Sequence, residues 1–398
     1  MKAGWQTNKL GEVCSFLNRG ISPKYLEEGG ICVLNQKCVR DHAVNFFLAR
    51  RHDNTAKRVS SDRLVQAGDV LINSTGTGTL GRVAQVRKAP IEPTTVDSHV
   101  TIARPLPGKF FSEFFGYMLI FIEEAIKKAG EGCGGQTELA RAVLAEKFSV
   151  TYPSSHSEQH RIVAILDEAF DGIATARANA EKNLQNARAL FESHLQSVFT
   201  KRGEGWVETT LGQVYDVRDG THDSPKFYDE GFPLVTSKNL KRDGLNLDSI
   251  KFISEEDYRK INERSGVSVG DVLFAMIGTI GNPTVVKDEP KFAIKNMALF
   301  KVPKSQSSEF LRYFLSADVT LTRMKREANG TTQKFVGLGY LRKFPIHLPT
   351  FHNQQKLVDE LDRISAETVR LESLYQRKLA ALDELKQSLL HQAFSGQL

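Results

Sequence analysis

The chain has 398 residues, with 53 lysines and arginines against 47 aspartates and glutamates, which gives a formal net charge of +6. With 40% hydrophobic and 25% charged residues its composition is that of an ordinary soluble protein, and its length predicts two or three domains. The mild basic surplus is compatible with a polyanionic partner but does not require one.

The sequence disfavours a membrane protein, a secreted protein and a protein with a cysteine-based zinc or redox site. The most apolar run, residues 114–122, is about half the ~20 residues that a membrane span needs. The opening residues do not resemble a signal peptide, and the four cysteines have the spacing of neither a zinc site nor a redox pair. We therefore expect a cytoplasmic protein with reduced thiols and no membrane partner.

Globular and helical segments alternate along the chain. In order, the sequence predicts a mixed α/β domain (1–153), a long helix (154–203), a second mixed α/β domain (204–349) and a second long helix (350–398). Within each α/β domain, short β-rich runs lie between Gly, Pro and Asn turns, and amphipathic helices follow near 110–129 and 306–326. We call residues 1–153 head 1 and residues 204–349 head 2.

The second half of the chain repeats the first. The segment 68–71 (Gly-Asp-Val-Leu) returns at 270–273, and Trp5 with its following Leu-Gly returns at Trp206. The offset between matching residues drifts only from 202 to 195, so the copies differ by small loop insertions. This pattern indicates a tandem duplication of a unit of about 200 residues, and not a short-period solenoid.

The two long helices carry an apolar ladder with alternating steps of four and three residues, which is a heptad pattern and predicts helix–helix packing. If a two-fold axis relates the copies, the helices are antiparallel and the C-terminus lies beside Trp5. The predicted helix-pair seam consists of Ile162, Leu166, Ile173, Ala180, Leu190, Leu357, Leu361, Ile364, Leu371, Leu382, Leu385 and Leu389. Alanines in the first helix bury little area, which favours further helices from a partner on this pair, although a self-sufficient pair is the alternative.

Residues 76–81 spell a G-x-G-x-x-G motif after a predicted strand. A dinucleotide site would need a helix next, but residues 82–86 have the pattern of another strand, so we predict a tight loop between strands. Such a loop can approach a phosphate or a base edge closely. Because P-loop, H-E-x-x-H and G-x-S-x-G motifs are missing and the histidines lack ligand spacing, we predict no catalytic residue, metal site or cofactor in this chain.

The loops of both heads are rich in side chains suited to reading base edges: Arg and Lys for guanine, and Asn and Gln for adenine. In head 1 the candidate DNA-binding residues are Arg19, Lys24, Asn35, Gln36, Lys37, Thr75, Thr77, Thr79, Arg82 and Gln136. In head 2 they are Arg218, Lys226, Ser237, Lys238, Asn239, Thr279, Asn282, Thr332, Gln333 and Lys334. The two sets occupy equivalent places in the repeat but differ in identity, as an asymmetric two-part target would require.

This plan of two heads and two helices resembles the specificity subunits of type I restriction–modification systems over essentially the whole chain. The matching features are Trp5 with Leu10-Gly11, Trp206 with Leu211-Gly212, the segments 68–71 and 270–273, Gly135-Gln136, the segment 330–333, Pro153 with Gln159, and Pro349 with Gln354 and Gln355. The segments 152–159 and 348–354 depart from the usual Leu-Pro-Pro-Leu-x-Glu-Gln start of each helix, although the duplicated plan is kept.

The resemblance implies an α+β protein in which two mixed α/β target-recognition domains are separated by a pair of long antiparallel helices (a coiled coil), with a pseudo-two-fold internal repeat. It implies a non-catalytic subunit that binds double-stranded DNA, each head reading one half of a bipartite target and the helices setting the spacer. Two methylation subunits would dock on the chain and bring S-adenosylmethionine. Restriction subunits, which use ATP and Mg²⁺, would join that core.

Two alternatives remain open from the sequence. A stand-alone nuclease or methyltransferase would turn over DNA without partners, whereas the chain carries no matching motif. A structural coiled-coil adaptor would bind no DNA even with methylation subunits present.

Overall fold

The structure, a computed structural model, describes residues 4–130, 138–241, 244–328 and 334–398. The chain divides into two compact units. Unit 1 comprises Met1–Ala180 with Lys378–Leu398, and unit 2 comprises Glu181–Arg377. Each unit therefore contains one head, part of one long helix and part of the other. The predicted domain boundaries, which assign each helix whole to one segment, stay a prediction.

Unit 1 begins with the elements of head 1. Its strands are β1 (Trp5–Lys9), β2 (Cys14–Arg19), β3 (Tyr25–Leu26), β4 (Ile31–Leu34), β5 (Val39–Arg40), β6 (Ala43–Val44), β7 (Arg50–His52), β8 (Val70–Asn73), β9 (Val83–Gln85), β10 (Thr94–Val96), β11 (Val100–Pro105) and β12 (Ser149–Pro153). Its helices are α1 (Leu10–Val13), α2 (Ser112–Phe121) and α3 (Glu123–Gly130), followed by the long helix α4 (His156–Lys201), which continues into unit 2.

Unit 2 contains the elements of head 2. Its strands are β13 (Val207–Thr210), β14 (Asp216–Asp219), β15 (Phe232–Thr236), β16 (Leu240–Lys241), β17 (Gly244–Leu245), β18 (Lys251–Ile253), β19 (Val272–Ala275), β20 (Gly281–Val285), β21 (Ala293–Lys295), β22 (Met297–Lys301) and β23 (Pro345–Leu348). Its helices are α5 (Leu211–Val214), α6 (Glu255–Ser265), α7 (Ser308–Ser316), α8 (Asp318–Arg326) and α9 (Leu338–Lys343), and the second long helix is α10 (Phe351–Ser395).

The two heads have matching sheet topologies. Head 1 has an antiparallel sheet of order β2-β11-β8-β9, and head 2 has β14-β22-β19-β20. A second sheet, β10-β4-β7-β3 in head 1 and β18-β15-β21 in head 2, contains one parallel pair in each head, β10 with β4 and β21 with β15. The first and last strands of each head also pair, β1 with β12 and β13 with β23. The predicted internal repeat of mixed α/β heads is therefore confirmed.

The Gly-Asp-Val-Leu segments begin the central strands of the heads. All four residues of β8 and all four of β19 are buried, so these strands form the middle of each core. The aspartate that precedes each strand is also buried and forms an ion pair with the neighbouring strand. Asp69 accepts from Arg104 at 2.7 Å, and Asp271 accepts from Lys301 at 2.6 Å. In both copies the buried carboxylate thus has the paired cation that its burial requires.

The repeated Leu-Gly pair packs a short helix against the end of each head. Leu10 and Leu211 are fully buried in the two cores. A Cβ atom on Gly11 would lie 2.9 Å from Cβ of Ala145, and one on Gly212 would lie 2.9 Å from Cβ of Arg342. Glycine stands at both positions because the backbones approach too closely for a side chain.

The long helices run antiparallel within each unit. In unit 1, Arg161 donates to the carbonyl oxygen of Leu398 at 2.9 Å, and Arg177 pairs with Asp383 at 2.5 Å. In unit 2, Arg188 pairs with Glu372 at 2.9 Å. In unit 1 the partner number falls as the number on α4 rises, which confirms the predicted antiparallel packing.

The ends of these helices belong to the cores of the heads. Phe394, in the last turn of α10, lies in the same apolar cluster as Trp5 and Ile162. In unit 2 the ring of Phe199, in the last turn of α4, lies 6.5 Å from the ring of Trp206. The C-terminus therefore lies with Trp5 in unit 1, as the sequence predicts.

The heptad seam is wrong at two predicted positions. Leu190 is 65% exposed and Leu385 is 46% exposed, whereas their neighbours Phe191 and Lys386 are half-buried. Along both helices the buried and half-buried positions still recur mostly in alternating steps of four and three residues, so the heptad spacing is kept. One of the two seam positions in each heptad lies one residue later than predicted in this part of the helices, at Phe191 and at Lys386. The other predicted seam residues are buried or half-buried.

None of the helices in the described parts of the chain is both long and apolar enough to span a lipid bilayer.

Candidate nucleic-acid interface

The Gly-Thr loop of head 1 connects β8 to β9 in an antiparallel hairpin, as predicted from the strand pattern. Gly76 has a φ of +107°, which disfavours other residues, so the motif forms a turn and not a strand–helix phosphate site. The side-chain amide of Gln36 donates to the backbone carbonyl of Thr75 and to its hydroxyl, the latter at 2.7 Å. The structure thus joins two predicted DNA-binding segments, 35–37 and 75–82.

A second group of side chains lies at the same place. The Thr75 hydroxyl is 2.7 Å from Nδ1 of His99. Thr75 also forms a β-bridge with Glu138, which accepts a hydrogen bond from the Arg19 guanidinium at 2.6 Å. Arg19, Gln36 and Thr75 are therefore brought together, with Glu138 and His99 as members that the sequence did not identify.

Several predicted residues of head 1 stabilise the loops through hydrogen bonds within the chain. Asn35 Oδ1 accepts from the backbone N–H of Lys37 at 2.9 Å, and Arg82 donates to the carbonyl of Gly78 at 2.9 Å. Thr79 is half-buried, and its hydroxyl donates to the carbonyl of Thr75 at 3.4 Å. The side chains of Lys24, Lys37 and Thr77 are exposed and form no hydrogen bond with the described residues.

Head 2 shows the same division. Asn239 donates to the carbonyl of Asn246 at 3.0 Å, Asn282 to that of Leu240 at 2.9 Å, and Ser237 to that of Asn296 at 3.1 Å. Arg218 pairs with Asp216 at 2.6 Å, within its own strand. The exposed predicted residues of this head are Lys226, Lys238, Thr279 and Lys334.

Three predicted residues, Gln136, Thr332 and Gln333, lie outside the described residues. The residues that follow these segments lie beside the two equivalent loops, because Glu138 bridges Thr75 and Phe335 bridges Ile277. The assignment of all these residues to DNA binding stays a prediction.

The sequence did not assign a role to His222, which lies in a cluster of head 2. Its Nδ1 lies 2.9 Å from Oδ1 of Asn296 and its Nε2 lies 2.8 Å from Oδ2 of Asp219. Both hydrogen bonds, that with Asn296 first, raise the pKa of His222, since an imidazolium can donate to both acceptors. Arg264 also pairs with Asp219, at 2.5 Å. The sequence offers no periodic signal for this cluster, because Asn296 reaches it only through the fold.

The cysteines of the described region have no reactive environment. Burial raises the pKa of Cys14 to about 12 and that of Cys38 to about 11, so both thiols stay protonated at neutral pH. In the same region, no group of three or more His, Cys, Asp or Glu side chains is placed to hold a metal ion.

Comparison with known proteins identifies the duplicated unit. The sequence model for the type I restriction modification DNA specificity domain matches residues 2–184 and again residues 203–380. The chain belongs to this family. The predicted family is thus confirmed, and specificity subunits are the DNA-recognition components of type I systems and not the catalytic ones.

One curated relative is the specificity subunit of the type I restriction enzyme EcoBI from Escherichia coli, which is 24% identical over 201 residues. The match covers 49% of this chain and 42% of that subunit, so it spans less than half of either.

Two solved structures share the fold along the whole length. A chain described under "Structural basis underlying complex assembly and conformational transition of the type I R-M system" has a TM-score of 0.79 at 19% identity, covering 100% of this chain and 99% of its own. The crystal structure of the HsdS subunit from Thermoanaerobacter tengcongensis has a TM-score of 0.64 at 19% identity, with 100% and 98% coverage. These likenesses confirm the predicted fold class.

Proposed function

We propose that this chain is the non-catalytic, sequence-specific DNA-recognition subunit of a type I restriction–modification complex. Each head reads one half of a bipartite double-stranded target, and the long helices set the spacer between the halves. Two methylation subunits dock on the chain and supply S-adenosylmethionine. Restriction subunits, with ATP and Mg²⁺, join the same complex. The family assignment supports the general role.

The observation that carries the proposal is that the two heads share one fold but have different side chains in equivalent loops. The turns 36–38 and 237–239 follow equivalent strands, so Gln36 corresponds to Ser237 and Lys37 corresponds to Lys238. Equivalent lysines suit contacts to DNA phosphates, which carry no sequence information. Different side chains at the neighbouring position suit different bases.

The hydrogen bonds within the loops provide a physical reason to expect that these loop side chains read bases. A side chain that reads a base must be held in place before the DNA arrives, since ordering it on binding costs free energy. Gln36 is fixed on Thr75, and Ser237 on Asn296. Their remaining hydrogen-bonding groups can still face a ligand, because an amide and a hydroxyl each form several hydrogen bonds.

The test is an exchange of one head. The chain and a variant in which residues 204–349 come from a relative with a different target are each expressed with the methylation subunit, and modified adenines are mapped in the host DNA. We expect the variant to modify targets in which one half-site has changed while the other half-site and the spacer are kept. A change in both half-sites would contradict independent reading by the heads.

The purified chain alone provides the second arm. With DNA, Mg²⁺ and S-adenosylmethionine we expect neither cleavage nor methylation. Turnover by the chain without partners would reject the non-catalytic role.

A further inference from the structure

Unit 1 contains a cavity of about 380 Å³ between the β5–β6 hairpin, strand β9 and the two long helices. Four basic side chains line it: His42, Arg87, Lys88 and Lys386. No aspartate or glutamate is among the described residues that line it. Arg87 is paired with Asp167 at 3.4 Å, so the surplus positive charge of the wall comes from Lys88 and Lys386, and it suits an anionic ligand.

Lys386 is held in place without a carboxylate partner in the described part of the chain. Its Nζ lies 3.3 Å from Nδ1 of His42, and Nε2 of His42 lies 3.4 Å from the carboxylate of Glu123. Burial opposes ionisation of Glu123, but hydrogen bonds from His42 and Lys127 outweigh burial and lower its pKa to about 2. This carboxylate fixes the ring of His42, whose other nitrogen then positions the ammonium group. Burial lowers the pKa of Lys386, so an anion beside it would relieve an unfavourable desolvation.

Aromatic rings complete the lining. Phe46, Tyr117 and Phe170 line the cavity together with the cations. The ammonium of Lys386 lies 5.3 Å from the ring of Phe170, and the guanidinium of Arg87 lies 5.3 Å from the ring of Tyr117. The ring of Phe46, which is 39% exposed, provides a stacking surface for a flat ligand, next to the groups that would bind its charge.

The second copy of the repeat carries different side chains at the positions that line this cavity. By the helix offset of 195 residues, Phe191 stands where unit 1 has Lys386, and its ring packs 6.4 Å from Tyr313. Asp288 stands where unit 1 has Lys88, because Val86 and Val286 accept equivalent hydrogen bonds. Unit 2 thus has an aromatic ring at the position of Lys386 and an acidic side chain at that of Lys88, whereas Lys287 keeps the positive charge of Arg87. Two identical subunits that dock on the two copies would contact features that both copies share. Their docking therefore does not explain the side chains that line this cavity in unit 1.

We propose that the cavity is a nucleotide-binding pocket, which takes a phosphate group on its cationic wall and a flat base against its aromatic rings. Its size lies within the ~300–1,000 Å³ range of small-molecule sites. The nucleotide is either a free one or a nucleotide of bound DNA, since both present the same chemistry.

Calorimetric titration of the full-length chain with dAMP, adenosine and inorganic phosphate tests the pocket. We expect one dAMP per chain, bound at least tenfold more tightly than either fragment, with an affinity that falls as salt is raised. Lys386→Met keeps the apolar stem and removes the charge, and it should weaken dAMP binding at least tenfold. Lys378→Met, at an exposed position eight residues earlier on α10, should change it less than twofold.

Thermal unfolding of both variants shows whether each is folded. A folded Lys386→Met variant that binds dAMP as tightly as the native chain would overturn the proposal, as would no saturable dAMP binding at millimolar concentration. Competition distinguishes the two sources: displacement of dAMP by an oligonucleotide assigns the pocket to DNA, and simultaneous binding assigns it to a free nucleotide. Because free dAMP is the probe, the outcome does not depend on whether the heads read a bipartite target.

Discussion

The buried side chain of Gln159 accepts a hydrogen bond from the backbone N–H of Phe111, with 2.7 Å between nitrogen and Oε1. Its amide nitrogen donates to the carbonyl of Pro153 at 2.9 Å. In unit 2, Gln354 accepts from the N–H of Ser307 at 3.0 Å and likewise donates to a proline carbonyl. In each unit one fully buried glutamine thus fastens the first turn of a long helix to the head.

Replacing either glutamine with leucine should destabilise its own unit. Gln159→Leu leaves two buried backbone groups without partners, so we expect the free energy of unfolding to fall by roughly 2–4 kcal/mol. Gln354→Leu should behave alike, and Gln355→Leu, at an exposed neighbouring position, should stay within about 0.5 kcal/mol of the native chain. Urea unfolding measures all three. Equal effects of Gln354→Leu and Gln355→Leu would show that the buried hydrogen bonds contribute little.

The contact line of the long helices can be tested at two adjacent residues. Phe191 packs on Tyr313 and is half-buried, whereas Leu190 is 65% exposed. We expect Phe191→Ala to lower the free energy of unfolding by about 1–3 kcal/mol and Leu190→Ala by less than about 0.5 kcal/mol. If Leu190→Ala is the more damaging change in thermal unfolding, the seam in solution contains Leu190 and not Phe191.

His222 should make the stability of head 2 depend on pH. Because its folded-state pKa is raised above the unfolded value, its contribution is fully present below the unfolded pKa and is lost as pH rises through the folded pKa. His222→Gln should therefore lower the melting temperature more at about pH 5 than at about pH 8.5. The side chain is more than half exposed, so the difference should stay under about 1 kcal/mol.

An NMR titration of the His222 ring measures its pKa in the folded state directly. The control is His352→Gln, at an exposed position on α10. A pH-independent difference between His222→Gln and the native chain would show that folding does not raise the pKa of His222.

Lys37 and Lys238 should contribute to DNA affinity without selecting bases. Both side chains are exposed at equivalent positions of their turns. In the complex with methylation subunits, alanine at either position should weaken target binding and reduce the slope of log affinity against log salt by about one. The half-sites found by mapping modified adenines should not change. Lys260→Ala, at an exposed position on α6, serves as the control for Lys238, and a changed half-site in Lys238→Ala would instead assign that lysine to a base.

The helices should set the spacer of the target. Insertion of seven residues after Ala180 in α4 and after Arg377 in α10 would lengthen the pair by ~10.5 Å at ~1.5 Å per residue. This length corresponds to about three base pairs at ~3.4 Å each. Seven residues rotate the later part of each helix by only about 20°, so the packed face is nearly kept. An unchanged spacer in the map of modified adenines would contradict the proposal that the helices set the spacer length.

The sequence was enough to predict the loops of the candidate site, but not the hydrogen bonds that their side chains form. The Gly-Thr loop was predicted correctly because a glycine turn followed by a strand pattern is a local signal, which Gly76 and β9 confirm. Which loop side chains are free was not predictable. Gln36 and Asn282 were predicted to bind DNA, and the structure adds that each donates to a backbone carbonyl of its own head. These partners lie about forty residues away, at distances along the chain that no periodicity encodes.

The sequence by itself determined the duplication, the order of heads and helices, and the buried central strands, because identities at a fixed offset and apolar periodicity are properties of short stretches of chain. Only the tertiary structure decided that Phe191, and not Leu190, lies on the buried face of its long helix, since Phe191 packs on Tyr313 of the head. It also decided the difference between the copies. Lys386 and His42 are 344 residues apart in the chain, and only folding brings their side chains within 3.3 Å.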